Sequence, residues 1–179
     1  MKIKDVIACL KEEGTWVRWN RCTRDRILFG DDDQEAKKIG VCWVATNKVI
    51  EQALRKGINF IISHENIFYT TGTHIETKLI ESVEHKKELL RKGNICVYRC
   101  HDVWDSIPGY GVSDVWAKKL GFDFKDRVIN SYYQHANIPT QTVSELATHV
   151  SNALKSDGEE GVYVFGDVNK EVSHLAMGT

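Results

Sequence analysis

Asn59-Phe60-Ile61-Ile62-Ser63-His64-Glu65-Asn66-Ile67-Phe68 is the stretch whose reading decides the fold. Its short apolar run, bounded by polar residues, has the length of a buried strand. The run ends in two groups able to bind a metal. Asn94-Ile95-Cys96-Val97-Tyr98-Arg99-Cys100-His101-Asp102-Val103-Trp104-Asp105 repeats the plan. There too, apolar residues lead into a histidine followed by carboxylates. A helical pattern lies between the two. Helical crossovers join parallel strands, so both strand ends are expected on one edge of one sheet. In open α/β sheets, sites form outside that carboxyl edge. His64, Glu65, His101 and Asp105 are therefore expected to converge.

Working outward, Ile39 to Ala45 is a further apolar strand pattern. Thr46 can cap the helix Asn47 to Lys56, which Gly57 closes. Thr71 to Thr73 lie in a loop, and Thr73 with Glu76 has capping-box spacing before a helix from His74 to Lys92. Gly93 ends that helix, and the second decisive strand begins. Asp105 to Gly111 reads as a loop, Val112 to Leu120 as a helix stopped by Gly121. Upstream, Lys2 to Glu13 is an amphipathic helix with Ile3, Val6, Ile7 and Leu10 on one face. Thr15 to Phe29 reads as strand or irregular structure. Downstream, Arg127 to Tyr133 reads as strand or loop, Thr142 to Lys155 as a capped helix with Glu145 completing its box. Gly161 to Phe165 and Glu171 to Met177 read as strands. The strict alternation predicts an α/β fold, a mainly parallel or mixed sheet flanked by helices, formed by residues 1–179 as a single domain.

Composition narrows the function. The chain has 179 residues, 42% hydrophobic and 27% charged, with a formal net charge of -1. That balance offers no footprint for nucleic acid. No apolar run approaches the ~20 residues of a membrane span. No apolar h-region follows Met1, so no signal peptide is expected. Five cysteines at irregular spacing do not form a disulfide framework, and free thiols in a reducing cytoplasm are the simpler reading.

The chemistry follows from the donor types. Imidazole nitrogen with carboxylate oxygen, and no thiolate, suits one or two divalent ions of zinc, iron, manganese, cobalt or nickel. His101 and Asp105 are four apart, which one helical turn brings to one face. His64 and Glu65 are adjacent, so both point inward only where the strand ends in a bend. Two-metal sites support hydrolysis. His74, His85, His135, His149 and His174 lack this context and read as structural or solvated. Cys96 and Cys100 read as buried reduced thiols. Asp31 to Asp33 is an acidic turn, and Gly109-Tyr110-Gly111 a plain turn before a helix.

On these residues the chain resembles the NIF-three-like (NGG-interacting factor) family of dinuclear-metal proteins, also called GTP cyclohydrolase I type 2-like. Ile61 to Phe68 stands where that family has a strand running into His-His-Pro. Tyr98 to Asp105, then Gly109 to Asp114 and Lys119-Leu120-Gly121, stands where it has a strand into His, three residues, Asp and a glycine turn into a helix. Arg26 to Asp31 and Val162 to Asp167 are similar to further segments of it. The resemblance implies that His64, position 65, His101 and Asp105 are metal ligands. Position 65 is Glu instead of His, and Asn66 stands for the proline. The family draws a further His and Glu from a C-terminal half past a glycine turn. Gly178-Thr179 ends the chain at such a turn, so the chain is expected to be the N-terminal portion of a longer fold. The resemblance also implies ring-like homo-oligomers and a nucleotide-type small-molecule substrate.

The functional expectation is a metal-binding protein acting as a metal-dependent hydrolase. No general base stands apart from the ligands, and no catalytic residue is assigned. The alternative is a non-catalytic metal-binding or protein-interaction role.

Overall fold

A computed structural model describes residues 1–21, 23–68, 77–123 and 133–178, without side-chain detail for 77–79 and 133. The chain forms two compact units, Met1–Trp104 and Asp105–Thr179.

The first unit is a three-layer α/β arrangement. Its helices are α1 (Ile3–Glu13), α2 (Asn47–Lys56) and α3 (Thr77–Lys92). Its strands are β1 (Arg26–Phe29), β2 (Ile39–Cys42), β3 (Phe60–Ser63) and β4 (Cys96–Arg99), ordered β1-β4-β3-β2 across a mixed sheet. β2, β3 and β4 run parallel, with Ile61 opposite both Gly40 and Val97. β1 pairs antiparallel with β4. Alternate residues of β3 and β4 enter opposite cores. Ile61 and Val97 pack with Ile50, Ala53 and Leu90 on the α2–α3 side. Phe60, Cys96 and Tyr98 pack with Ile3 and Ile7 of α1 on the other. Burial on both faces explains why these strands read as unbroken apolar runs. Truncating fully buried Ile61 to alanine would cost about 2–5 kcal/mol.

Local signals set the helix ends. The Thr46 hydroxyl accepts from the Val49 N–H at 3.3 Å, and Gly57 takes the left-handed cap position at φ 65°. The proposed Thr73–Glu76 box and residues 74–76 of the expected third helix lie outside the described residues.

A short helix, α4 (Asp102–Ser106), begins in the first unit, and its last two residues open the second. The second unit then contains α5 (Val112–Leu120), β5 (Tyr133–Thr142), α6 (Val143–Leu154) with a 3₁₀ turn, and β6 (Glu171–Gly178). β5 and β6 pair antiparallel, and Ala117, Leu120, Leu154 and Met177 form this unit's core. The Thr142–Glu145 capping box forms as expected, with the Thr142 N–H donating to Glu145 Oε2 at 2.7 Å.

Two expectations need correction. Gly161 to Phe165 is not a strand: no described residue pairs with the segment, and Tyr163 and Phe165 are each 95% exposed. Alternation supplies only the side-chain pattern; a strand also needs a hydrogen-bonded neighbour. Conversely β5 runs on to Thr142, through residues with little apolar alternation, because β6 holds it along most of its length. Residues 127–132 of the expected strand or loop lie outside the described residues. Among the described residues, no helix is long and apolar enough to cross a membrane.

Candidate metal centre

His64 follows β3 directly, and His101 lies two residues beyond β4. Because β3 and β4 are parallel neighbours in register, both histidines emerge at one sheet edge. The bend that turns His64 and Glu65 inward is built by the backbone. His64 and Glu65 N–H groups donate to the Cys42 and Trp43 carbonyls at 3.1 and 2.8 Å. The buried Ser63 hydroxyl donates to the Glu65 carbonyl at 3.0 Å. Asp105 is set by helical geometry, one turn along α4 from Asp102.

The result is a group in which one ligand atom each from His64, His101 and Asp105 lies within 4.8 Å of the others. His64 and Asp105 are buried. Ring stacking fixes the imidazole planes. His64 lies against Trp43 at 3.9 Å between centroids and 13° between planes, and against His101 at 4.5 Å and 25°. His101 Nδ1 is 3.2 Å from Asp102 Oδ1. Donation to that carboxylate assigns the proton to Nδ1 and leaves the Nε2 lone pair available, the usual second partner of a metal-binding histidine.

Glu65 sits beside this group. Its Oε1 is 3.7 Å from His64 Nδ1 and 3.9 Å from His101 Nε2. Its Oε2 is held by Arg99 Nη2 at 2.8 Å, while Arg99 Nε donates to the His64 carbonyl at 3.2 Å. One carboxylate oxygen is therefore committed to a guanidinium, and the other faces both imidazoles.

Three supporting residues were missed in the sequence. Asp25, which is buried, accepts from the N–H groups of His101, Asp102 and Val103 at 2.6, 2.6 and 3.0 Å. It fills the positive end of α4 and so anchors His101. Burial pushes its pKa up, against the three N–H donors that pull it down. Asp102 accepts from the Thr23 hydroxyl and the Arg24 N–H, both at 2.8 Å. Burial opposes its ionisation, yet the bonds from His101, Arg24 and Thr23 together hold its carboxyl well below the usual range. Arg99 did carry a signal: a cation ending an apolar strand requires an anion nearby. Asp25 carried none, since its partners are 76 and more residues away.

Among the described residues, the other polar clusters form no comparable buried group. Asp31, Asp32 and Asp33 also come within 4.8 Å of one another, but Asp33 is paired with Lys2 and Lys4 at 3.2 and 2.6 Å on an exposed turn. Gly109 donates its N–H to Asp114 Oδ2, which makes the Gly109–Gly111 segment a turn. His149 bonds the Leu120 carbonyl, and His174 bonds Asn137 and stacks on His135. Cys96 is a buried free thiol, and Cys100 is buried as well. His74 lies outside the described residues. Beside His64 the first unit also contains a hollow of about 400 Å³ between the α1 face and β2, lined mostly by apolar side chains.

The family model described as Duf34/NIF3 (NGG1p interacting factor 3) matches residues 1–179, so the chain belongs to that family. A Clostridium perfringens protein named GTP cyclohydrolase 1 type 2 homolog is 23% identical over 99% of this chain and 68% of its own length. A Clostridium acetobutylicum protein of the same name is 26% identical over 84% of this chain and 58% of its own length. The chain thus spans about two thirds or less of these relatives. Among solved structures, a Bacillus cereus protein related to NIF3 matches with a TM-score of 0.70 at 13% identity, over 98% of this chain and 75% of that one. A Staphylococcus aureus hypothetical protein matches with a TM-score of 0.68 at 19% identity, over 98% and 71%. These likenesses show the same fold.

Proposed function

We propose that this Duf34/NIF3 family chain is a metal-binding protein. Its divalent ion is held by His64, His101 and Asp105, with Glu65 adding an oxygen through Oε1, and the centre serves hydrolysis of a nucleotide-type small molecule. The observation that carries the reading is the meeting of two imidazoles and a carboxylate within 4.8 Å at the end of two parallel strands. Neutral imidazoles with carboxylates and no thiolate fit zinc, iron, manganese, cobalt or nickel.

The chain's own residues prepare this site. Asp25 anchors the amides at the start of α4 and so places His101. Asp102 holds His101 in the tautomer whose Nε2 can donate its lone pair. Arg99 orients Glu65 and offsets its charge. Bound there, the ion would supply Lewis-acid activation for hydrolysis. The nucleotide class rests on the names of the relatives.

A second reading, metal binding without catalysis, has one observation in its favour. Glu65 has one oxygen on Arg99 and the other facing the two imidazoles, which leaves neither turned to a substrate. A cytoplasmic homo-oligomer is part of either reading, and light scattering of the purified chain would test the assembly.

Elemental analysis of the purified protein tests the centre. The expected result is one or two divalent ions per chain, lost in both His64→Ala and His101→Ala. A folded, metal-free protein that takes up none of the five metals would overturn it. Turnover of nucleoside phosphates by the loaded wild type, absent in His101→Ala, would separate the enzyme from the non-catalytic reading.

A further inference from the structure

Arginines crowd the segment that leads into β1. Arg18, Arg21, Arg24 and Arg26 share the stretch 18–26 with one acid, Asp25. The whole chain carries a formal net charge of -1, so this is a local concentration of positive charge. Asp25 does little to neutralise it, because its carboxylate is buried and occupied by the amides of His101, Asp102 and Val103. Two of these arginines stand at the candidate centre, within the first unit. Arg24 Nη1 lies 3.5 Å from Asp102 Oδ1, an oxygen of the carboxylate that holds His101. Arg26 opens β1, which runs antiparallel to β4. It therefore lies at the edge where β3 and β4 end and His64 and His101 emerge.

The register sets Arg26 directly opposite Arg99. Residues paired in this way point to one face with Cβ atoms about 4.5–5.5 Å apart, and like charges so placed repel. Arg99 has a counter-ion in Glu65, at 2.8 Å. Its bonds to Glu65 and to the His64 carbonyl use two of its five N–H groups. Arg26 is exposed, and among the described residues no hydrogen bond or ion pair engages its side chain. A sheet that sets two guanidiniums side by side, with an acid for one of them, gives up stability at that position. Local conflicts of this kind are expected at functional positions. An oxyanion held between the two forks would offset the repulsion and accept charge-assisted, bidentate hydrogen bonds.

We propose that Arg26 is a specificity-determining residue that binds a phosphate group of the molecule on which the centre acts, at the Arg26–Arg99 pair. The inference rests on the metal-centre reading for its connection to chemistry, but not for the binding itself. The other arginines of the stretch add a positive field that draws an anion toward this edge.

The test is calorimetric titration of the full chain with methylphosphonate, a small oxyanion that hydrolysis cannot consume. It is run on metal-loaded and on chelator-treated protein, with metal content measured on the same samples. Saturable binding is expected in both states, weakened about tenfold or more in Arg26→Gln. Arg26→Lys, which keeps the charge without the fork, should lose less. Arg55→Gln removes an equal charge from the exposed side of α2 and should bind as wild type does. Metal uptake should be unchanged in Arg26→Gln, and its Tm equal or higher, since the repulsion is gone. Undiminished binding in Arg26→Gln, equal weakening in Arg55→Gln, or no saturable binding would overturn the proposal. A lower Tm in Arg26→Gln would overturn it by making the residue structural, and binding that vanishes with the metal would overturn it by assigning the anion to the ion. Arg26-dependent binding by a protein that takes up no metal would sink the metal reading alone. Normal metal uptake with Arg26-independent binding would sink this one alone.

Discussion

Asp25→Asn is the most informative single change outside the His64–His101–Asp105 group. The wild-type carboxylate is buried and accepts three backbone N–H bonds at the start of α4, two of them at 2.6 Å. Hydrogen bonds to a charged group contribute about 1.5–3 kcal/mol each, and a lost helix cap costs about 1 kcal/mol. Desolvation of the carboxylate offsets part of this, which is why burial pushes its pKa up. Asparagine keeps one acceptor oxygen but turns an N–H₂ group toward the remaining amides. A net loss of about 2–3 kcal/mol follows. Urea denaturation of the metal-free protein measures it. A second readout separates positioning from simple stability. One of the three donors is the His101 N–H, so His101 should shift and metal affinity should fall about tenfold or more, as for other outer partners of metal ligands. A variant within about 0.5 kcal/mol of wild type and equal in metal uptake would refute the anchoring role.

Three further outcomes are expected. Lys86 is buried, donates to the Ile67 carbonyl at 2.6 Å, and burial holds its pKa below 10.5. Between its folded and unfolded values the unfolded chain binds more protons, so this residue's contribution to stability rises with pH toward 10.5. Melting temperatures of wild type and Lys86→Met should therefore draw apart in wild type's favour across that alkaline range, and a constant gap would contradict the assignment. The Tyr98 hydroxyl is buried with no hydrogen-bond partner among the described residues, so Tyr98→Phe should be neutral or stabilising by about 1 kcal/mol; clear destabilisation in urea would count against this. Burial, with smaller contributions from Asp32 and Asp31, pushes the Cys96 thiol up to about 12, whereas Cys9 is exposed. Iodoacetamide near neutral pH should label Cys9 and spare Cys96 in the folded chain, as mass spectrometry of the peptides would report; equal labelling would show that Cys96 is not sealed.

Much of the fold was legible because its signals are local. The apolar runs into His64 and His101, the Thr46 cap, Gly57 and the Thr142–Glu145 box all lie within a few residues of the structure they specify. The parallel order of β2, β3 and β4 follows from the helices between them, and that order brings His64 and His101 to one edge. The family follows from the same two stretches.

Other features depend on partners distant in the chain. The apolar alternation from Gly161 to Phe165 resembles that of a strand, yet pairing, not pattern, decides a strand. β1 joins the sheet antiparallel, against a neighbour some seventy residues later. The hollow between α1, β2 and α4 has no contiguous motif at all. The sequence by itself determined which strands deliver His64 and His101 to one edge, because hydrophobic periodicity is a property of short segments. Only the tertiary structure decided how those residues are held. Arg99 claims one oxygen of Glu65, Asp25 claims the amides at His101, and Trp43 covers His64. A buried charge or an exposed ring takes its role from whatever lies within a few ångströms, and chain order does not encode that distance.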